Sequence, residues 1–147
     1  MFKHILVPTD GGKLSFKALD LAATMVQSSD AKITVVLVTP NYPSMGGGDG
    51  YLLAAIAPRD WEKNVAARID RVRKDVEKRL AAKKAAANFV SVNHDDVYVG
   101  VLDTAKSRKC DLIVMASHGR RGLSALLMGS ETHKVLTHSK LPVLVCR

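Results

Sequence analysis

The sequence predicts an α/β fold: a doubly wound, open, five-stranded parallel sheet flanked by four helices. Three observations carry this. Short apolar runs rich in β-branched residues alternate with stretches of three- and four-residue apolar spacing, the pattern of buried parallel strands joined by crossover helices. The 147 residues suit one domain, residues 1–147, long enough to bury roughly 68–70% of its unfolded surface. Two unusual turns, Thr9-Asp10-Gly11-Gly12 and Ser117-His118-Gly119, follow the first and fourth runs.

The first strand is read from His4 to Pro8, ended by Pro8 and the Thr9 to Gly12 turn. Leu14, Ala18, Leu21, Ala22 and Met25 then line one face of a helix. Lys32 to Thr39 is a second strand, continuous in its apolar character. Residues 41–58 carry Gly46, Gly47, Gly48 and Gly50 and exceed an ordinary connection within a domain, so a mobile loop is expected there, with a lid as the functional alternative. A long helix from about Arg59 to Ala86 bears the stripe Trp61, Val65, Ile69, Val72, Val76 and Leu80, expected to pack on the core from Trp61 onward. Asn88 to Asn93 alternates, as a strand near a sheet edge does. Asp95 and Asp96 are candidate caps for a short helix through Lys106. Asp111 to Met115 is the fourth strand, Ser130 to His138 the last helix and Pro142 to Cys146 the fifth strand.

The formal charge of +8 raises the question of nucleic acid. Between Arg59 and Lys84, however, the basic residues interleave with Asp60, Glu62, Asp70, Asp75 and Glu77, and no aromatic platform lies among them. Sequence-specific nucleic-acid binding is therefore not expected; weak, nonspecific attraction to anions stays open. Cys110 and Cys146 belong to no ligand spacing and read as reduced, packed thiols. His94-Asp95-Asp96 is better explained by helix capping than by a metal. His133 and His138 fall on the expected exposed side of the last helix. No run of about 18 apolar residues occurs, and Met1 to Ile5 enters a strand pattern directly, so no membrane association and a cytoplasmic location are expected.

Doubly wound sheets bind ligands beyond the carboxyl ends of their strands, where the winding reverses. If the order is 3-2-1-4-5, that point lies between the first and fourth strands, and the Pro8-Thr9-Asp10 and Met115 to Gly119 segments would then meet at one crevice. Gly129-Ser130 would add a helix N-terminus there, with Ser130 as its cap. Small residues let backbone N–H groups approach an anion, and the helix dipole favours its charge. Ser130 serving only as a helix cap is the plainer reading of the same residue. No nucleophile, base and orienting acid fall at a recognisable spacing, so no catalytic residue is assigned.

These residues resemble the universal stress protein (UspA-like) family. The resemblance spans Ile5 to Asp10, Ile113 to Leu123, Gly129-Ser130 and Pro142 to Val145. It implies a Rossmann-like sheet, similar to the adenine nucleotide alpha hydrolases, with the order 3-2-1-4-5. It also implies a homodimer formed by antiparallel pairing of the final strands, here Val143 to Cys146. One branch of the family binds ATP through Gly-2x-Gly-9x-Gly-(Ser/Thr). Here that pattern begins with Ala116 and continues with Gly119, Gly129 and Ser130.

Carried over residue by residue, the resemblance implies that Asp10 approaches the ribose or adenine above Pro8 and Thr9. Val38 offers main-chain groups to the adenine edge, Met115 packs on the nucleoside, and Gly119, Gly129, Ser130 and the Glu131 N–H face ribose and phosphates. Asp10 is the candidate ligand for a Mg2+ bridging the phosphates. Two positions depart from the pattern. The methyl of Ala116 obstructs a close approach or is harmless, according to its φ. The Glu131 carboxylate favours a helix N-terminus but repels phosphate if it points into the crevice. The resulting expectation is a stress-response protein that binds ATP or a related adenine nucleotide and hydrolyses it slowly at most. The alternative is a nucleotide-free, dimeric interaction protein of the same fold.

Overall fold

Strands that are apolar on both faces are stable only when covered from both sides, and the chain folds accordingly. In the computed structural model, which describes residues 2–27, 29–42, 57–118 and 128–147, five strands form one sheet. They are β1 (His4–Thr9), β2 (Lys32–Thr39), β3 (Asn88–Asn93), β4 (Leu112–Ala116) and β5 (Val143–Cys146). Their order is β3-β2-β1-β4-β5, and every neighbouring pair is parallel. The helices are α1 (Lys13–Val26), α2 (Pro58–Ala82), α3 (Val97–Ser107) and α4 (Ser130–His138).

Alternate residues of each strand face opposite layers. Ile5, Val7, Val35, Leu37 and Val114 join α1 and α2 in one core, including Leu19, Val72 and Val76. Leu6, Val36, Ile113 and Met115 join Val101, Ala105 and Val135 of α3 and α4 in the other. The first two crossovers thus cover one face and the last two the opposite face, which puts the winding reversal between β1 and β4. Cys110 is buried and Cys146 half-buried, both as free thiols. Burial, reinforced by the neighbouring Asp111 carboxylate, pushes the Cys110 thiol up to about 11. His133 and His138 are exposed, as expected.

Three expectations change. The apolar stripe of α2 is buried only at Val72, Val76 and Leu80, whereas Trp61, Val65 and Ile69 are half-buried. A helix of 25 residues is about 37 Å long, and β2, with eight residues, is about 26 Å, so the first turns of α2 overrun the sheet. Trp61 packs edge-to-face on Tyr42 instead, with ring centroids 6.0 Å apart. Pro58, read as loop, is the first residue of α2, a position where its missing N–H costs nothing. Of the expected mobile loop 41–58, residues 43–56 lie outside the described residues.

Asp111 precedes β4 rather than opening it. Its carboxylate accepts the Lys3 N–H at 2.8 Å and the His4 N–H at 2.9 Å, and its own N–H donates to the His4 carbonyl. Partial burial pushes this carboxyl upward, but the two backbone donors prevail and hold it below its ordinary value. A depressed folded value means that the stabilisation is complete above the ordinary carboxylate range and disappears as pH falls through the folded value. Asp111→Ala should cost roughly 1–3 kcal/mol at neutral pH and flatten the acid limb of the stability curve. Urea melts from pH 7 down to 3 check both, and an unchanged limb would remove Asp111 as its source.

Candidate functional site

The turn after β1 is built by Asp10. Its Oδ1 accepts the Gly12 N–H at 2.8 Å and the Ser15 hydroxyl at 2.9 Å, a local bonding pattern that favours a turn over further strand. Thr9, buried at the end of β1, places its Oγ1 2.9 Å from Ser15 Oγ and accepts the Gly11 N–H at 3.1 Å. Gly11 has φ +78, and a Cβ there would lie 2.8 Å from Val72 Cγ2. The turn therefore fits under α2 only with glycine. The Asp10 carbonyl additionally accepts Arg68 Nη2 of α2 at 3.5 Å.

The turn after β4 is tied differently. Ser117 donates its N–H to the Cys146 carbonyl at 2.7 Å, and its carbonyl accepts the Gly129 N–H at 2.8 Å. Thr132 Oγ1 donates to the Ala116 carbonyl at 2.9 Å. A Cβ on Gly129 would sit 3.1 Å from the Ser117 carbonyl oxygen and 3.2 Å from His118 Cα, so the absence of a side chain allows α4 to start against the end of β4. First-turn N–H groups of α4 lack intrahelical partners and carry partial positive charge toward this end of the sheet.

β1 pairs with β2 over six residues, His4 to Thr9, but with β4 only at Ile5↔Leu112 and Leu6↔Ile113. The ladder stops three residues short of both strand ends, since Thr9 follows Leu6 and Ala116 follows Ile113 by the same count. The two turns consequently emerge level with each other on either side of a gap.

Pro8 is half-buried and Thr9 buried within β1, with Asp10 at the strand's carboxyl end. Val38 is the first β2 residue beyond the β1 ladder, which ends at Thr9↔Leu37, and its side chain is covered by Gly100 of α3. Met115 and Ala116 are both 7% exposed at the end of β4. Ala116 lies in the strand, and the non-glycine residues with positive φ among the described residues are Lys84 and Lys109. Its methyl therefore occupies ordinary extended backbone. Gly119, with Arg120 and Arg121, lies outside the described residues.

Two expectations are corrected at α4. Ser130 is not the cap: Gly129 holds that position, Ser130 is the first helical residue, and among the described residues no side-chain capping bond closes this end. The reason is the tight Gly129 to Ser117 contact, which sets where the helix begins. The Glu131 carboxylate does not project ahead of its own helix either. Its Oε2 accepts the Tyr98 N–H at 3.0 Å and its Oε1 pairs with Lys134 Nζ at 2.9 Å. Glu131 thus caps α3, where Asp96 occupies the cap position without a side-chain capping bond. Asp96 instead donates its N–H to His94 Nδ1. Glu131→Ala should cost about 0.5–2 kcal/mol, read by thermal melting. Glu131→Gln should leave adenine-nucleotide affinity within about threefold, because about a tenfold rise, equivalent to about 1.4 kcal/mol, would mean that the carboxylate faces phosphate.

Sequence reasoning missed Ser15, Thr132 and Gly100. Thr132 stands two residues after Ser130 in a helical pattern, where a hydroxyl ordinarily reads as solvated. Chemically, the crevice offers hydroxyls, backbone donors and one carboxylate. Ser117 Oγ lies 2.9 Å from His118 Nδ1, and His118 Nε2 is buried without a hydrogen-bond partner among the described residues. Among the described residues no carboxylate hydrogen-bonds that imidazole. Nor, among the described residues, do three His, Cys, Asp or Glu side chains cluster in a metal-binding arrangement.

The whole chain, residues 1–147, matches the family described as Universal stress protein family. Universal stress protein YxiE of Bacillus subtilis is 29% identical, the alignment covering 100% of both chains. Universal stress protein A homolog 2 of Coxiella burnetii is 31% identical over 99% of this chain and 95% of its own. Among solved structures, universal stress protein UspA from Lactobacillus plantarum superposes with a TM-score of 0.78 at 22% identity, covering 99% and 97% of the two chains. A universal stress protein in complex with cAMP gives 0.71 at 23%, with 99% and 97% covered. The Archaeoglobus fulgidus protein in complex with dAMP gives 0.69 at 16%, with 99% and 98% covered.

Proposed function

This chain belongs to the universal stress protein family, and from that premise we propose that it is a stress-response protein binding ATP or a related adenine nucleotide in the crevice between β1 and β4. The observation that carries the reading is the early end of the β1–β4 ladder at the winding reversal, with the N-terminus of α4 drawn against one wall by Gly129. Open doubly wound sheets take nucleotides at such a point. Structural relatives in complex with cAMP and dAMP support the adenine nucleotide class.

The residues fit such a ligand. Gly129 leaves a cradle that a Cβ would fill, and the first-turn N–H groups of α4 suit an anion. Phosphates would meet Gly119, Gly129, Ser130 and the Glu131 N–H; the nucleoside would lie over Pro8, Thr9, Asp10, Met115 and Ala116, with its adenine at Val38. Two observations favour binding over the nucleotide-free alternative: the extended backbone at Ala116 and the engagement of the Glu131 carboxylate by α3. Asp10 Oδ1 already accepts two hydrogen bonds, so a Mg2+ arriving with ATP would be held chiefly by the phosphates.

The same proposal includes a homodimer. β5 is an edge strand of four residues with Leu144 39% exposed, and such an edge is commonly covered by another strand. No helix among the described residues is long and apolar enough to cross a membrane, in keeping with the proposed cytoplasmic location.

Calorimetric titration with ATP, AMP and cAMP, each with and without Mg2+, tests the ligand, alongside phosphate release to detect slow hydrolysis. No binding of any of the three at millimolar concentration would overturn the reading and favour the nucleotide-free alternative. Light scattering at micromolar concentration tests the dimer, and a mass of one chain would count against it.

A further inference from the structure

Because all five strands are parallel, their amino ends share one face of the molecule, opposite the nucleotide crevice, and the carboxyl ends of the helices lie at the same face. Lys3 and Lys32 stand at the starts of β1 and β2. Lys83 and Lys84 lead toward β3, Arg108 and Lys109 into β4, and Lys140 into β5. Of these seven, Lys83 is half-buried and the others are exposed. In the segments that lead into the strands the acids are Asp30 and Asp111, and Asp111 is occupied by backbone donors. Seven cations less two carboxylates leaves +5 in these segments, against a formal +8 for the whole chain. None of the seven is ion-paired among the described residues.

The backbone supplies a second, independent observation. Lys84 has φ 52 and Lys109 φ 55; they sit at matching positions one residue past the caps of α2 and α3. Each closes the same turn. Ala85 donates its N–H to Leu80 and Cys110 to Ala105, both at 2.9 Å, while Lys84 donates to Ala81 and Lys109 to Lys106, both at 3.1 Å. Glycine is the residue that relieves a left-handed position at this point of a helix. Lysine here is strained at both places, and the strain is unexplained by packing because both side chains are exposed. The residue that follows each turns inward, Ala85 half-buried against the core and Cys110 buried, so the cation is carried on backbone anchored by its neighbour.

We infer that this face docks the phosphodiester backbone of nucleic acid without reading sequence. Five strands about 4.8 Å apart span about 19 Å, and about 19 Å of duplex carries about eleven phosphate charges, more than enough for seven cations. An anionic membrane fits less well, since firm attachment needs an apolar insertion beside the basic patch, and among the described residues Phe2 alone offers an exposed large apolar side chain at this end. The inference does not depend on the nucleotide reading, whose crevice lies at the other end of the strands.

The test is fluorescence anisotropy of the full chain with a labelled random-sequence DNA duplex, titrated at several NaCl concentrations. Log affinity should fall linearly with log salt, with a slope of roughly −4 to −6 at about 0.9 per phosphate neutralised. The variant Lys84→Gly/Lys109→Gly should lower the magnitude of that slope by about 2 while leaving the melting temperature unchanged or raised. Lys17→Gln/Lys63→Gln, which removes the same charge from exposed positions on α1 and α2, should leave the slope within about 0.5 of the unmodified protein, well short of the 0.9 expected for one phosphate. Equal losses in both variants would reduce the effect to net charge and overturn the assignment. So would unchanged DNA binding with a lowered melting temperature in the glycine variant, which would make the lysines helix caps alone. Binding to phosphatidylserine vesicles but not to DNA would likewise overturn it and identify a membrane as the partner.

Discussion

Replacing Gly129 by valine should reduce adenine-nucleotide affinity by about a hundredfold or more, equivalent to about 2.7 kcal/mol, while the protein remains folded. The backbone at Gly129, φ −60 and ψ 146, is open to any residue, so the substitution introduces no torsional strain. Its effect comes wholly from proximity. The new Cβ meets a carbonyl oxygen at 3.1 Å and a backbone Cα at 3.2 Å, and neither can rotate away as a side chain could. Relief requires α4 to withdraw from β4, lengthening the 2.8 Å Gly129 to Ser117 bond and moving the first-turn N–H groups from the phosphate position. Overpacking of this kind costs about 1–3 kcal/mol, leaving the fold largely populated. Calorimetry with ATP beside a thermal melt separates the two effects. Wild-type affinity in the folded variant would mean that the phosphates lie elsewhere.

Gly11→Ala should be the most destabilising single-methyl change in the turn, at roughly 2–5 kcal/mol. Two costs combine: about 1–2 kcal/mol for alanine at φ +78 and about 1–3 kcal/mol for driving a Cβ to 2.8 Å from Val72 Cγ2. Val72 is 2% exposed and cannot swing into solvent. A double-mutant cycle with Val72→Ala isolates the steric part. The alanine at position 72 carries its own cavity cost, yet the pair should be coupled by about 1 kcal/mol or more. Additivity within experimental error would leave backbone torsion as the sole source.

Legibility of the fold in the sequence followed from how local each signal is. β1, β2 and β3 were readable because their periods and lengths are properties of consecutive residues, and β3 read as a strand near a sheet edge because Val90 and Val92 alternate with Ser91 and Asn93. Trp61 misled: a stripe reports which face of a helix is apolar, not how far the helix extends beyond the sheet it covers. At the site, Asp10 and Gly129 were recognisable from their turns. The Asp10 to Ser15 hydroxyl network and the Thr132 to Ala116 bond were not, because a hydroxyl has no periodic signature.

Glu131 shows the boundary most clearly. From sequence, a carboxylate in the first turn of a helix either favours that terminus or repels its ligand; the structure directs it to Tyr98, 33 residues away in the chain. Lys84 and Lys109 were likewise visible only as members of a scattered basic composition. Their common left-handed backbone and common face arise from the ends of two helices packed on opposite sides of one sheet.

The sequence by itself determined the α/β class, the identity of all nine elements in the described residues and the two turns of interest, because hydrophobic period and turn chemistry act within a few residues. Tertiary structure alone decided how far β1 and β4 stay paired, that Gly129 rather than Ser130 is the cap of α4, which helix Glu131 caps, and that the excess positive charge gathers at the amino ends of the strands. Each of these depends on distances of about 3 Å between segments far apart in the chain, and such distances are set only when the layers pack.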